Sequence, residues 1–481
     1  MNTARRVAKN TTVLLTSQVI VKMLHFVLVI FVARYLGAAA FGKYAFAISF
    51  TILFSVLADM GLNILITREI ARDKSKADIY LGSALIIKSI LALIAFAVII
   101  TSINLMHYPS DTIIVVYIAT FALVFNTLAS TFATVYQAFE RMEYEAVINV
   151  SVGALALGLT VLVIFYGYGL YAIMMVYLLQ SIVSLTLNAL IIPKKFVKPK
   201  FTLDRKLGFN LLKAAIPMGL AGIFVEIYYR IDTVMLSFMK GDAVVGWYNA
   251  AYSLIFGLMF IQGSFNTAIF PVLSRFSNTS MDLLRMVYER SFKYLFCIGL
   301  PIAVGTTLLA KRIILLLYGK EYSNAAGALQ ILIWALAFIF VNGFLGNVLI
   351  TTNREKQVTY IVGGGAILNI VLNALLIPAF SYTGAAIATV VSELFAFVFC
   401  SFALSKSVAR SPLFKVFKRP LLAVLIMGAF IVGFNSLSIL MLIPIAAIIY
   451  IAALFVMQTF DHEDRSLVKQ IFKRELYERS A

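Results

Sequence analysis

The chain is short of charge, and the charge it has is one-sided. Charged residues make up 13% of 481 residues, with 22 Asp and Glu against 40 Lys and Arg, while hydrophobic residues reach 62%. Soluble domains carry about 25% charged and about 45–50% apolar residues, so a water-soluble globule is excluded and lipid is the solvent for most of the chain. Only two cysteines are present, Cys297 and Cys400, both inside apolar segments. A thiol there behaves as a small buried hydrophobe, so neither a disulfide framework nor a metal site is supported, and no cofactor is expected. Polar stretches long enough to fold separately are missing too: apolar segments recur from Thr11 to Phe460.

The apolar segments come at a length that means something. Crossing a hydrocarbon core of ~30 Å takes about 20 mainly apolar residues. Fourteen segments qualify: 11–34, 42–65, 81–105, 112–136, 145–166, 169–192, 210–239, 244–270, 291–310, 326–350, 357–378, 383–405, 417–436 and 439–459. The first resembles a cleaved signal, with Arg5, Arg6 and Lys9 before it and Ala38-Ala39-Ala40 after it. It is too long for such an h-region and contains Lys22 and His25, so an uncleaved span is expected.

The expected fold is therefore an all-α polytopic membrane protein. With both termini cytoplasmic, 31 of the 40 Lys and Arg fall in inward segments, 6 fall outward and 3 lie within spans. That bias in short loops supports the orientation, and it explains the positive net charge without a nucleic-acid partner. The longest internal polar stretch, Pro193 to Phe209, separates the sixth and seventh spans. The expected division is a six-helix unit at 1–192, a basic cytoplasmic linker at 193–209, a second six-helix unit at 210–405, and two accessory helices with a cytoplasmic tail at 406–481.

The two halves echo each other. At an offset of 204 residues, Gly37/Gly241, Ala39/Ala243, Gly42/Gly246, Tyr44/Tyr248, Ala47/Ala251 and Ser49/Ser253 are identities. A weaker echo sets Gly169 against Gly384. Six spans per half give both halves the same orientation, so the expected relation is an axis along the membrane normal, with a cleft between two pseudo-symmetric bundles.

Several of these residues carry a family resemblance. Ala33-Arg34-Tyr35-Leu36-Gly37 through Phe41-Gly42-Lys43-Tyr44, then Asp59-Met60-Gly61-Leu62 and Thr67-Arg68-Glu69-Ile70-Ala71, make the first half similar to the polysaccharide transport family. That family belongs to the multidrug/oligosaccharidyl-lipid/polysaccharide exporter superfamily. In the second half the resemblance rests on Tyr229-Arg230-Ile231-Asp232, on Val245-Gly246-Trp247-Tyr248-Asn249-Ala250-Ala251-Tyr252 and on Gly384-Ala385-Ala386-Ile387-Ala388. It implies two six-helix bundles, an accessory pair of helices, and alternating access of a central cavity to a lipid-linked oligosaccharide in the cell membrane. Contact with polysaccharide assembly proteins is a further expectation. A multidrug and toxin extrusion antiporter and a lipid II flippase are the alternatives. A membrane glycosyltransferase, ligase or polymerase would need a catalytic outward domain, for which no loop is long enough.

Ionisable groups inside spans are costly and mark sites or partners. Lys22 lies 13 residues beyond Lys9, ~19 Å along a helix, which puts it near mid-membrane. Gln18, Lys22 and His25 follow i, i+4, i+7 spacing and form one polar stripe. With Lys88 and Arg230 they are the expected substrate-binding residues, offering positive charge to a pyrophosphate linker or acidic sugar, unless neighbouring carboxylates neutralise them. Glu226 and Arg230 are four apart and suited to pair, and Asp232 projects nearly to the opposite side. Glu393, Asp59, Glu226 and Asp232 are the candidates for coupling to H+ or Na+. Pro217, Pro301 and Gly363-Gly364-Gly365 are expected either to bend their helices or to let them approach closely.

Overall fold

The computed structural model describes residues 3–202, 205–409 and 413–460. The expected cytoplasmic tail beyond Phe460 lies outside them. Thirteen α-helices run in order: α1 (Thr3–Asp59), α2 (Leu62–Arg72), α3 (Ala77–Leu105), α4 (Ser110–Ala138), α5 (Met142–Phe165), α6 (Leu170–Lys195), α7 (Arg205–Lys240), α8 (Asp242–Thr279), α9 (Met281–Leu317), α10 (Ala325–Thr351), α11 (Glu355–Ser405), α12 (Leu413–Gly433) and α13 (Ile439–Val456). Two short 3-10 turns, Lys74–Lys76 and Lys320–Tyr322, complete the described residues, which contain no strand. Lipid offers no partner to a free N–H or C=O, and a helix satisfies its own.

Among the described residues, eleven helices are long and apolar enough to cross a membrane, by length and composition. Two of them, α1 and α11, are continuous only in name. Gly37 (φ 73°, ψ 172°) breaks α1, and Ser381 (φ 55°, ψ −137°) breaks α11. A positive φ at Gly37 meets no Cβ penalty. The freed Ala38 N–H just beyond it donates to the Glu321 Oε1 carboxylate oxygen at 2.7 Å. In α11 the break follows Pro378, which has no N–H to give the helix, and the Pro378 carbonyl accepts from Lys240 Nζ at 2.8 Å. The expected first and second spans thus share α1, and the eleventh and twelfth share α11.

Helices pack within each half, and the most extensive single pairing crosses the seam between the halves. In the first half α1 packs on α3, α4 and α5, and α4 packs on α3 and α6; in the second, α10 packs on α8, α9 and α11, and α11 on α7. The two sets meet where α1 lies against α7 and α8. Large apolar side chains such as Leu93, Leu440 and Val456 stay exposed on the outside, as a molecule immersed in lipid permits and one in water does not.

The repeated glycines sit at that meeting. A Cβ on Gly42 would stand 1.8 Å from the Asp242 carbonyl oxygen, and one on Gly246 would stand 2.0 Å from the Ala38 carbonyl oxygen. Residues 38 and 242 differ by the same 204 as residues 42 and 246. Each hairpin therefore presses its glycine onto the equivalent carbonyl of the other, a reciprocal contact that only a missing side chain allows.

Candidate functional site

The face of α1 before Gly37 carries Lys22 and His25, three residues apart and so on one side of the helix. Opposite them stand Arg230 of α7 and Asn249, Tyr252, Ser253 and Phe256 of α8. Together with Tyr44 and Ser49 from α1 beyond Gly37, these residues line a cavity of about 540 Å³. Among the described residues that line it, none is Asp or Glu. The cavity wall thus brings two cations and a histidine from both halves of the chain to one space, with aromatic rings around them.

Arg230 rests on an aromatic ring, with a carboxylate close by but not hydrogen-bonded. Its guanidinium lies over the Phe256 ring, 5.1 Å from the centroid, a cation–π contact that fixes the plane. Glu226 reaches its Nε only at 3.9 Å, too long for a charge-assisted hydrogen bond. Arg230 Nε is buried without a hydrogen-bond partner. Gln18 sits one turn before Lys22 and is exposed, off the cavity lining.

Lys88 is elsewhere. It is fully buried, and its ammonium donates to Asp59 Oδ1 at 2.7 Å, Asn63 Oδ1 at 2.9 Å and Ser130 Oγ at 3.4 Å. Three donors meet three acceptors, so nothing remains for a ligand. Asp59 also accepts the Gly61 N–H at 3.1 Å, tying the pair to the break between α1 and α2. Lys88 and Asp59 were expected in separate roles, and the structure joins them as an ion pair across 29 residues of sequence. They line a second, smaller pocket of about 250 Å³ inside the first half.

Asp232 lies on the far side of α7 from the cavity, 1% exposed. Tyr248 OH donates to it at 2.6 Å, Thr389 Oγ1 at 2.7 Å and Asn373 Nδ2 at 2.5 Å. Asn373 in turn donates to Asn369 Oδ1 at 2.9 Å, and the buried Asn373 Oδ1 has no partner. None of the partners is cationic. Sequence reasoning found Asp232 but missed the amides, which carry no charge to flag them. Their signal was the i, i+4 spacing of two Asn in an otherwise apolar helix. Glu393, also buried, accepts from Asn342 Nδ2 at 2.7 Å; it lines neither space and sits one turn along α11 from Thr389, the Asp232 partner. Gly363, Gly364 and Gly365 are helical and receive the Phe224, Phe395 and Tyr228 rings. Pro217 and Pro301 likewise sit inside helices.

A bundle of helices long and apolar enough to cross a membrane, with a cavity lined from both halves of the sequence, has the architecture of a membrane transporter. Comparison with known families gives the finer assignment. Residues 7–277, more than half of the chain, match the family model described as "Polysaccharide biosynthesis protein", and residues 217–375 match the MatE model. The chain belongs to the polysaccharide biosynthesis protein family, within the multidrug/oligosaccharidyl-lipid/polysaccharide exporter superfamily that the sequence resembles, and is a transporter.

Relatives are distant. An uncharacterized membrane protein of Methanocaldococcus jannaschii is 28% identical over 58% of this chain, which spans 57% of that relative's length. A probable low-salt glycan biosynthesis flippase of Haloferax volcanii is 24% identical over 77% of each chain. A putative O-antigen transporter of Shigella dysenteriae is 24% identical over 78% of this chain and 94% of its own. Among solved structures, a lipid II flippase in an inward closed conformation superposes with a TM-score of 0.78, at 17% identity, over 94% of this chain and 99% of that one. An inward-facing multidrug resistance transporter gives 0.64 at 18% identity over 81% and 96%. At such identities the likeness concerns the fold.

Proposed function

We propose that this protein moves a polyprenyl-(pyro)phosphate-linked oligosaccharide from the inner to the outer leaflet of the cell membrane, for surface polysaccharide or glycan assembly. The observation that carries the reading is the charge of the cavity: Lys22, His25 and Arg230 converge on it, and no carboxylate is among its described lining residues. A phosphate-bearing head group entering lipid depth needs fixed positive charge, and a guanidinium grips phosphate through parallel hydrogen bonds. An organic-cation exporter needs the opposite sign. The architecture proposed has fourteen spans: the two limbs of α1 and of α11 each cross separately, and α12 joins the apolar helices. It groups them as units at 1–192 and 210–405 joined by the basic linker, with α12 and α13 as accessories and both termini cytoplasmic.

Alternating access is a rocking of the two units about the seam formed by α1, α7 and α8. Lys88 contributes by holding Asp59 rather than by touching the phosphate. Among Asp59, Glu226, Asp232 and Glu393, Asp232 is the best-placed coupling residue. A carboxylate buried at lipid depth with only neutral partners is costly until it takes up a proton or a cation. The oxygens of Asn369, Asn373, Thr389 and Tyr248 around it suit Na+, a hard ion.

Reconstituted vesicles test the reading. A fluorescent polyprenyl-pyrophosphate glycan should change leaflet in the presence of the protein, and ethidium should not be exported. Ethidium export without glycan movement would assign the protein to the antiporter class instead. A lipid II flippase carries a cargo with the same pyrophosphate anchor and is the second reading, supported by the fold likeness over 94% of the chain. Rescue of cells depleted of their lipid II flippase separates it from a surface-glycan carrier.

A further inference from the structure

The stripe of α1 that lines the cavity does not stop there. Phe41, Tyr44, Ala45 and Ile48 face the larger cavity, and Thr51, Ile52, Ser55 and Asp59 face the smaller pocket. These positions advance by threes and fours, so they occupy one side of a single helix and the two spaces follow each other along it. Tyr177 marks the junction: it lines the pocket and lies within electrostatic reach of Tyr44 and Arg230 in the cavity wall.

The chemistry of the two spaces differs. In the pocket the Lys88 and Asp59 charges cancel, and the ammonium has no hydrogen left to give. Phosphate is not drawn to a neutral pocket, and an apolar tail would strand its polar groups. What remains open to a ligand alternates in kind: the partly exposed Asp59 carboxylate accepts, the Ser55 hydroxyl, whose hydrogen goes to the Ile52 carbonyl at 2.7 Å, also accepts, the Tyr177 hydroxyl does both, and the Asn126 amide presents two donors and an acceptor. Asn126 and Tyr177 make no side-chain hydrogen bond among the described residues. Adjacent hydroxyls on a sugar ring, each a donor and an acceptor, are the ligand for such a set.

We infer that the pocket around Ser55, Asp59, Asn126 and Tyr177 is a sugar subsite, holding the first ring of the glycan while Lys22 and Arg230 hold the phosphate next to it. The inference rests on the proposed cargo. It explains why a buried ion pair is kept inside the first half: Lys88 fixes the Asp59 carboxylate in place as an acceptor. It also makes the first sugar, and not only the anchor, a determinant of what is carried.

Two probes test it on the full-length protein in detergent: polyprenyl pyrophosphate alone, and the same lipid bearing one N-acetylglucosamine. The wild type should bind the glycosylated probe at least tenfold more tightly. Asn126→Ala and Tyr177→Phe should each remove about fivefold of that advantage, while binding the bare pyrophosphate as the wild type does and melting at the wild-type temperature. Lys22→Ala should weaken both probes alike. Equal affinity of the wild type for the two probes, or a glycan preference that survives the double variant, overturns the sugar subsite. Unchanged binding of both probes by Lys22→Ala overturns the phosphate reading on which it rests.

Discussion

Lys88 makes the sharpest demand of any single residue. Its ammonium is wholly inside the protein, and Asp59 is its counter-charge. Breaking a buried pair by removing one partner costs roughly 3–5 kcal/mol, because the survivor stays charged and dry. Asp59→Ala should therefore destabilise strongly, by about 3 kcal/mol or more. The double change Asp59→Leu with Lys88→Met should recover much of that loss, as measured by thermal unfolding in detergent. Asp232 poses a different case, since its partners are neutral. Asp232→Asn should keep the fold, because an amide can still meet the Tyr248, Thr389 and Asn373 groups, and it should abolish the dependence of transport on a Na+ or proton gradient. A gradient dependence that persists in Asp232→Asn would move the coupling site to Glu393, the other deeply buried carboxylate among the described residues. The charges themselves were legible as positions, since any ionisable residue stands out in an apolar run. Their pairings were not. Asp59 and Lys88 come from different helices, and no local spacing announces a contact made by tertiary packing.

Among the elements, the hairpins at Gly42 and Gly246 govern how closely the halves approach. An added methyl at either position would meet a backbone carbonyl well inside contact distance, and a backbone moves only if the helices part. Gly42→Ala and Gly246→Ala should each lower the melting temperature and abolish flipping in reconstituted vesicles. Gly158→Ala, where nothing lies within 4 Å, should leave both unchanged. Equal activity in all three variants would mean that the seam is not part of the cycle. The alignment of the halves at a fixed offset located these glycines without coordinates, because both repeats keep a glycine at the same place in a tight hairpin. The breaks inside α1 and α11 were legible as gaps between spans. What the sequence does not reveal is that Glu321, far along the chain, supplies the acceptor for the N–H freed at Ala38.

For the molecule as a whole, the helical class and membrane setting followed from composition alone, and the order of helices from span length. The cavity was legible in outline: Lys22 and His25 on one stripe, Arg230 in the seventh span, and a cleft expected between the halves. The smaller pocket was not, because Ser, Thr and Asn in membrane helices more often bond their own backbone than a ligand. Only packing shows which polar side chains are left facing open space.

The most direct measurement compares flipping of a polyprenyl-pyrophosphate glycan by the wild type, by Lys22→Ala and Arg230→Ala, and by the charge-retaining Lys22→Arg, all at matched levels in vesicles. A hydrogen bond to a charged group contributes about 1.5–3 kcal/mol, so each alanine should slow flipping roughly tenfold to a hundredfold, with Lys22→Arg retaining most of the rate. Wild-type flipping by both alanine variants would contradict the account, because the positive cavity would then have no part in carrying the cargo.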